Sequence, residues 1–183
     1  MEPEKKLLFD HLAIHRAIEK IVDAIVKEFR ENQLREVALI GIQVRGVILA
    51  QRLRDAIIRR TGIELPAASL DITMYRDDIG KRNTLPVIRE TDIPFELDDK
   101  AVVLVDDVLH TGRTIRAALD ALTYYGRPAL IRLAALVDRG RREFPIQADY
   151  AGLTAELPPH RKMRIEFGDT PESDVIYEIN RKQ

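Results

Sequence analysis

The sequence lacks cysteine and tryptophan altogether, and aromatic residues make up only 5% of its 183 residues. Without thiols, the protein cannot form disulfides, bind a metal through thiolates or use a cysteine nucleophile, and this composition is typical of a reducing compartment. No apolar run approaches the ~20 residues needed to cross a bilayer. Residues 1–6 also lack the apolar core of a signal peptide. We therefore expect a soluble, cytoplasmic protein with no membrane partner.

An excess of charge of either sign is also absent. Lysine and arginine total 29 against 30 for aspartate and glutamate, which gives a formal net charge of −1. The overall charge thus favours neither nucleic acid nor an acidic surface as a partner, and any RNA contact would need a local basic patch. The length is usual for one compact domain, and we expect residues 1–183 to form one.

Apolar segments of two kinds alternate along the chain. Stripes at spacings of three and four predict helices, and short continuous apolar runs predict strands. The predicted helices are 10–30, 47–60 and 113–125. The predicted strands are 36–42, 68–74, 101–105 and 129–137, with 163–167 and 175–179 as two short edge strands. This alternation implies βαβ units and an α/β fold with a mainly parallel sheet covered by helices on both faces.

A polar stretch between Tyr75 and Asp92 interrupts this pattern. Long loops inside compact domains are uncommon unless they form a lid, a binding loop or a hairpin. An exposed hairpin and a substrate-covering loop both agree with the sequence.

The segment from Val102 to Thr114 carries recognisable chemistry. An apolar strand leads into Asp106 and Asp107, and Thr111-Gly112-Arg113-Thr114 then opens a helix. Ligands of open α/β sheets bind beyond the carboxyl ends of the strands. A helix start offers free N–H groups to a phosphate, and nearby carboxylates suit ribose hydroxyls or Mg²⁺ carried by a pyrophosphate.

Simpler interpretations of the same residues exist. Acidic pairs also follow strands in receiver domains and metal-dependent phosphatases, and a threonine near a helix start is often only a cap. The ordered combination of strand, acidic pair, Thr-Gly-x-Thr and helix is more specific. The GxxxxGK[ST] pattern of an NTPase is absent, so we favour a sugar-phosphate site.

This segment resembles the PRPP-binding motif of type I phosphoribosyltransferases. The chain as a whole is similar to the PyrR subgroup, which combines attenuation of the pyrimidine operon with uracil phosphoribosyltransferase activity. The other matching segments are Gly41–Gly46, Leu70–Asp78 and Val137–Tyr150. The resemblance implies a type I phosphoribosyltransferase fold with a small hood region and a protruding loop or hairpin. It also implies transfer of ribosyl 5-phosphate from PRPP to uracil, with Mg²⁺ as cofactor, to give UMP and pyrophosphate.

The resemblance further assigns roles to residues. Asp106, Asp107 and Arg45 would be catalytic, and the two aspartates would hold the metal directly or through water or substrate. PRPP would be bound by Val44, Arg45, Gly46, Arg76, Asp106, Asp107, Val108, Leu109, His110, Thr111, Gly112, Arg113 and Thr114. Uracil would be bound by Asp138, Arg139 and Gly140, and the loop that carries Arg76, Lys81 and Arg82 would close over the substrate.

The implied partners include pyrimidine-operon leader RNA, UMP or UTP as effectors, and further copies of the chain in a homodimer or homotetramer. The candidate basic clusters for RNA are Arg139, Arg141 and Arg142, and His160, Arg161, Lys162 and Arg164. The first helix, which the family uses in RNA contact, carries Glu19 and Asp23 among its basic residues, and carboxylates repel phosphates. Two further departures from the family pattern are Val44, in place of a hydroxyl residue, and His110, in place of an aromatic phenol.

Two other functions remain open at this point. The pocket could serve mainly as a nucleotide sensor in an RNA-binding regulator. Alternatively, the chain could be a type I transferase for a purine base or orotate, although the match over 138–150 disfavours that alternative.

Overall fold

The computed structural model describes residues 5–32, 36–79 and 87–180 of the chain. The helices in this part are α1 (His11–Glu31), α2 (Arg45–Thr61) and α3 (Arg113–Leu122). The strands are β1 (Lys5–Phe9), β2 (Val37–Ile42), β3 (Ala67–Leu70), β4 (Ala101–Leu109), β5 (Leu130–Asp138), β6 (Tyr150–Thr154), β7 (Arg161–Glu166) and β8 (Val175–Asn180). Among the described residues, no helix is long and apolar enough to cross a membrane.

A five-stranded parallel sheet forms the centre of the molecule, in the order β3-β2-β4-β5-β6. All six residues of β2 are buried, as are the first six of β4, because helices cover both faces of the sheet. Helices α1 and α2 pack on one face around Leu39 and Val103, and α3 packs on the other around Leu104. The predicted α/β architecture is therefore confirmed.

A second, antiparallel sheet, in the order β1-β8-β7, forms the hood. We predicted β7 and β8 as two short edge strands. The prediction is correct for β7 but wrong for β8, which lies in the centre of this sheet and pairs with both neighbours. Two strands were missed. The first two residues of β1 are lysines, and β6 carries Gly152 within only five residues, so neither shows a clear apolar run.

Two predicted strand boundaries also differ from the structure. Strand β3 ends at Leu70, and residues 73–75 form a 3₁₀ turn instead of continuing the strand to Met74. Strand β4 does not end at Val105 but continues to Leu109, because β5 pairs with it along its whole length, from Ala101 opposite Leu130 to Leu109 opposite Asp138. Asp106 and Asp107 therefore lie within a strand and not in the acidic turn that the sequence suggested.

An ion pair joins the hood to α2. The Arg52 guanidinium contacts the Asp174 carboxylate, and their side chains are only 14% and 1% exposed. Arg52 also donates to the Gly168 carbonyl at 3.0 Å, and its guanidinium lies 5.1 Å from the centre of the Phe167 ring. The second carboxylate oxygen of Asp174 accepts the Gly168 N–H at 3.0 Å. These contacts fix the turn between β7 and β8 against the parallel-sheet domain.

Asp174→Ala should reduce the free energy of unfolding by about 3–5 kcal/mol, because it leaves the Arg52 charge buried without its partner. Urea unfolding followed by circular dichroism would measure the change. The double variant Arg52→Met with Asp174→Leu replaces both charges by apolar groups. Its free energy of unfolding should fall much less than that of Asp174→Ala. Equal losses of unfolding free energy in the two variants would contradict this account of the ion pair between Arg52 and Asp174.

Candidate active site

Two cavities open at the carboxyl ends of the parallel strands, one on each side of β4. The α2-side cavity has a volume of about 510 Å³ and is lined by residues 42–45, 71–73, 76, 87, 89, 106–108 and 114. The hood-side cavity has a volume of about 520 Å³ and is lined by residues 107–108, 110–111, 139, 141, 143, 159 and 161–163. Asp107 and Val108 line both cavities, so the end of β4 separates two halves of one site.

The acidic pair is the most strongly perturbed feature of this site. Asp106 is only 6% exposed, and its carboxylate accepts the Asp107 N–H at 3.0 Å. Burial raises the pKa of Asp106 well above its usual value, and the neighbouring Asp107 carboxylate raises it further. Burial also raises the pKa of Asp107, although Arg45, 3.9 Å away, acts in the opposite direction. Strong perturbation in a cleft is typical of a functional site.

The turn between β2 and α2 supplies one wall of the α2-side cavity. A Cβ on Gly46 would lie 2.4 Å from the Val105 carbonyl oxygen, so only glycine lets α2 begin this close to β4. Val44 and Arg45 consequently face the cavity, and the Arg45 side chain is 48% exposed. The peptide bond between Gln43 and Val44 is cis.

The loop between β4 and α3 forms a cradle suited to a phosphate. Gly112 adopts a left-handed conformation with φ of 88° and no side-chain cap, and α3 begins at the next residue. The first N–H groups of a helix have no partner within it, and they carry the positive end of the helix dipole. His110 and Thr111 face the hood-side cavity and Thr114 faces the α2-side cavity, so the cradle lies between the two.

Not every predicted PRPP residue presents its side chain to this site. Leu109 is 1% exposed and packs in the core, so it could contribute only backbone groups. Arg113 contacts Asp77 and Glu143, and its guanidinium lies over the Phe144 ring. Arg76 does line the α2-side cavity, where its Nε and Nη2 atoms donate to Asp78 at 2.8 and 2.9 Å. Lys81 and Arg82, predicted for the covering loop, lie outside the described residues.

The turn after β5, predicted to bind uracil, lies beside the hood-side cavity. Arg139 lines this cavity and donates to the Arg161 carbonyl at 2.7 Å, which connects the turn with β7 of the hood. The Asp138 carboxylate accepts the Gly140 N–H at 2.9 Å and binds Arg142 at 2.7 Å. Asp138 thus shapes the turn, and the N–H and the carbonyl of Gly140 are both hydrogen-bonded within it.

His110 lies at the edge of the hood-side cavity. Burial lowers the pKa of His110, and the positive charges of Arg139, Arg141 and Arg142 lower it further against an opposing effect of Glu143. A neutral imidazole is therefore favoured at physiological pH.

Asp71, which was not predicted as a site residue, lies in the wall of the α2-side cavity. Its carboxylate accepts the N–H of Thr73 at 2.7 Å, the Thr73 hydroxyl and the N–H of Arg89. These hydrogen bonds lower the pKa of Asp71 against the effect of burial. Asp71 thus holds together both ends of the polar stretch. The sequence pattern did not predict this role, because Arg89, 18 positions away, approaches Asp71 only in the fold.

The fold and this site define a phosphoribosyltransferase. Residues 9–168 match the family model described as phosphoribosyl transferase domain. Among solved structures, the hypoxanthine phosphoribosyltransferase of Trypanosoma cruzi superposes with a TM-score of 0.71, covering 96% of this chain and 97% of that one. At 17% sequence identity, that likeness shows the shared fold alone.

Curated relatives narrow the assignment. "Bifunctional protein PyrR" of Deinococcus radiodurans is 44% identical over 176 residues, which is 96% of this chain and 95% of that protein. "Bifunctional protein PyrR" of Roseiflexus sp. (strain RS-1) is 51% identical over 161 residues, which is 88% of this chain and 86% of that protein. The chain belongs to the PyrR family.

Asp106→Asn should stabilise the free protein at neutral pH. A carboxyl whose pKa is higher in the folded state than in the unfolded state loses stabilising free energy as the pH rises, so the ionised Asp106 destabilises the fold. The variant should unfold at a higher urea concentration than wild type near pH 7, and the gap should narrow as the pH falls toward about 4. Asp169→Asn, at an exposed carboxylate, is the matched control. A pH-independent gap would contradict this origin of the effect.

Proposed function

We propose that this protein is a uracil phosphoribosyltransferase that transfers ribosyl 5-phosphate from PRPP to uracil and releases pyrophosphate. The observation that carries the proposal is the position of Asp106 and Asp107 between two cavities and beside an open helix start. The arrangement supplies a phosphate cradle at α3, carboxylates for the ribose hydroxyls, a wall for pyrophosphate at α2 and a base pocket under the hood. Membership of the PyrR family supports uracil as the base.

The geometry supports a displacement at the anomeric carbon of the ribose. Such a reaction passes through an oxocarbenium-like state, in which positive charge develops on the sugar. Two crowded carboxylates, each partly desolvated, would stabilise that charge where it forms. Arg45, at the start of α2, would donate charge-assisted hydrogen bonds to the leaving pyrophosphate. The hood and the cradle would hold base and sugar in the orientation that attack requires.

The residues present fit a Mg²⁺ ion that arrives with PRPP. Asp106 and Asp107 offer carboxylate oxygens, burial raises the pKa values of both, and a nearby cation would favour their charged forms. The described residues contain no cluster of three or more acidic or histidine ligands, so the remaining ligands would be oxygens of substrate and water. When bound, Mg²⁺ supplies neutralisation of the pyrophosphate charge.

UMP formation from PRPP and Mg²⁺ with a panel of bases tests this function directly. Wild type should use uracil in preference to hypoxanthine, guanine and orotate. The double variant Asp106→Asn with Asp107→Asn should lose most of its turnover, on the order of a hundredfold or more, while its circular dichroism spectrum is retained. Near-normal UMP synthesis by this variant, or preference for a purine by wild type, would overturn the proposal.

We also infer that the protein binds a pyrimidine-operon leader RNA, with uridine nucleotides as effectors. Repulsion by the first helix argued against this, but Glu19 and Asp23 both contact Arg60 of α2. Their charges are offset there, and exposed Arg16 and Lys20 flank a groove on another side of α1. A local basic edge of this kind suits a phosphate backbone.

The double variant Arg16→Ala with Lys20→Ala should weaken RNA binding and reduce its dependence on salt. Each lost phosphate contact lowers the slope of log affinity against log salt by about one. Filter binding with a pyrimidine-operon leader across a range of salt concentrations would measure both quantities. Arg127→Gln, at an exposed site, is the control. The regulatory function would be contradicted if the wild-type protein did not bind the leader RNA, or bound RNA of any sequence equally well.

Three further expectations belong to the same proposal. Assembly into a homodimer or homotetramer, a cytoplasmic location and the organisation of residues 1–183 as one domain remain predictions.

A further inference from the structure

Arg142, which the sequence suggested as part of a basic RNA surface, is occupied inside the molecule. Its side chain is 20% exposed and the guanidinium donates to five acceptors. The acceptors are the carbonyl oxygens of Ile146 at 2.7 Å, His110 at 2.8 Å, Gly140 at 3.3 Å and Leu109 at 3.5 Å, and the Asp138 carboxylate at 2.7 Å.

These acceptors belong to two functional parts of the site. Leu109 and His110 lead into the phosphate cradle, whereas Asp138 and Gly140 form the turn that faces the base. One planar guanidinium therefore connects the cradle with the base-facing turn. The directions of its five donors are fixed relative to one another, so it sets the distance between the two parts.

The segment that follows Arg142 supports the cradle from the same side. The Thr111 carbonyl accepts the N–H groups of Glu143 at 2.9 Å and of Phe144 at 3.0 Å. A Cβ on Gly112 would lie 3.2 Å from the Phe144 Cβ. Residues 142–144 thus hold the backbone of the cradle in place, and hydrogen bonds join the cradle to the base-facing turn.

We propose that Arg142 is a positioning residue that fixes the spacing between the 5-phosphate cradle and the base-facing turn, so that both ends of a pyrimidine nucleotide are bound at once. The proposal rests on the proposed function, since it concerns the same site. The hydrogen bonds from Arg142 to the cradle and to the base-facing turn are here called the clasp. The affinity for UMP depends on the clasp more strongly than do the affinities for ribose 5-phosphate and for uracil, its two separate parts.

Calorimetric dissociation constants for UMP, ribose 5-phosphate and uracil test this claim in wild type, Arg142→Lys and Arg142→Gln. Lysine keeps the charge but has three donors on one atom, so it cannot reach the acceptors of both parts together. In both variants, UMP binding should weaken by about tenfold to a hundredfold, while ribose 5-phosphate and uracil each change by less than about threefold. Arg127→Gln, at an exposed arginine outside the site, should bind all three ligands as wild type does.

A merely structural role predicts a different result. If Arg142 only stabilised the fold, the melting temperature would fall and UMP would weaken no more than the combined changes of its two parts, which would overturn the proposal. Asp138→Asn removes one charge from the clasp and leaves the four carbonyl contacts. This variant should therefore show a smaller selective loss of UMP affinity than the Arg142 variants. Should the Arg142 variants fail to fold, the absence of any selective loss of UMP binding in Asp138→Asn would overturn the proposal. Failure of the proposed function would appear separately, as wild type that binds no UMP.

Discussion

Strand pairing between β4 and β5 forces two adjacent carboxylates into the interior of the protein. The ladder continues past Val105 to Leu109, so Asp106 is carried to 6% exposure instead of turning into solvent. Burial then raises the pKa values of both aspartates, and the charge of Asp107 raises the pKa of Asp106 further. The free protein thus retains an unfavourable arrangement that a cationic or hydroxyl-rich ligand relieves. Stability is given up at the position where we propose that the substrate binds.

The rest of the site is arranged around this strand end. Gly46 allows α2 to begin against the Val105 carbonyl, Gly112 allows α3 to begin just beyond the strand, and the hood covers the opposite cavity. The elements contribute different kinds of group: α2 brings the cation of Arg45, and the start of α3 brings backbone N–H groups. The chemistry is thus divided among separate chain segments that meet only where the parallel strands end.

Much of this arrangement could be predicted from the sequence. The βαβ alternation predicted the parallel sheet, and the order of strand, acidic pair and Thr-Gly-x-Thr predicted that a helix begins just beyond the acidic pair, because local patterns determine both. The family resemblance predicted uracil as the base and the presence of a hood. The features that could not be predicted depend on contacts between residues that are distant in the sequence. The extent of β4 depends on its pairing with β5, the role of Asp71 depends on Arg89, 18 positions away, and Arg142 could not be distinguished from a surface arginine until its five acceptors were known. The repulsion expected from Glu19 and Asp23 was likewise offset by Arg60 of a different helix.

The composition of the hood sheet has a consequence for the order in which the protein matures on the ribosome. The parallel sheet is built from residues 37–154, whereas the hood joins β1, which is synthesised first, to β7 and β8, which follow residue 160. Its central strand, β8, is synthesised last of the three. The strands of the parallel sheet therefore all precede the last hood strand along the chain. In the proposed enzyme, the phosphate-binding loop would be complete before the wall that the hood gives to the base pocket.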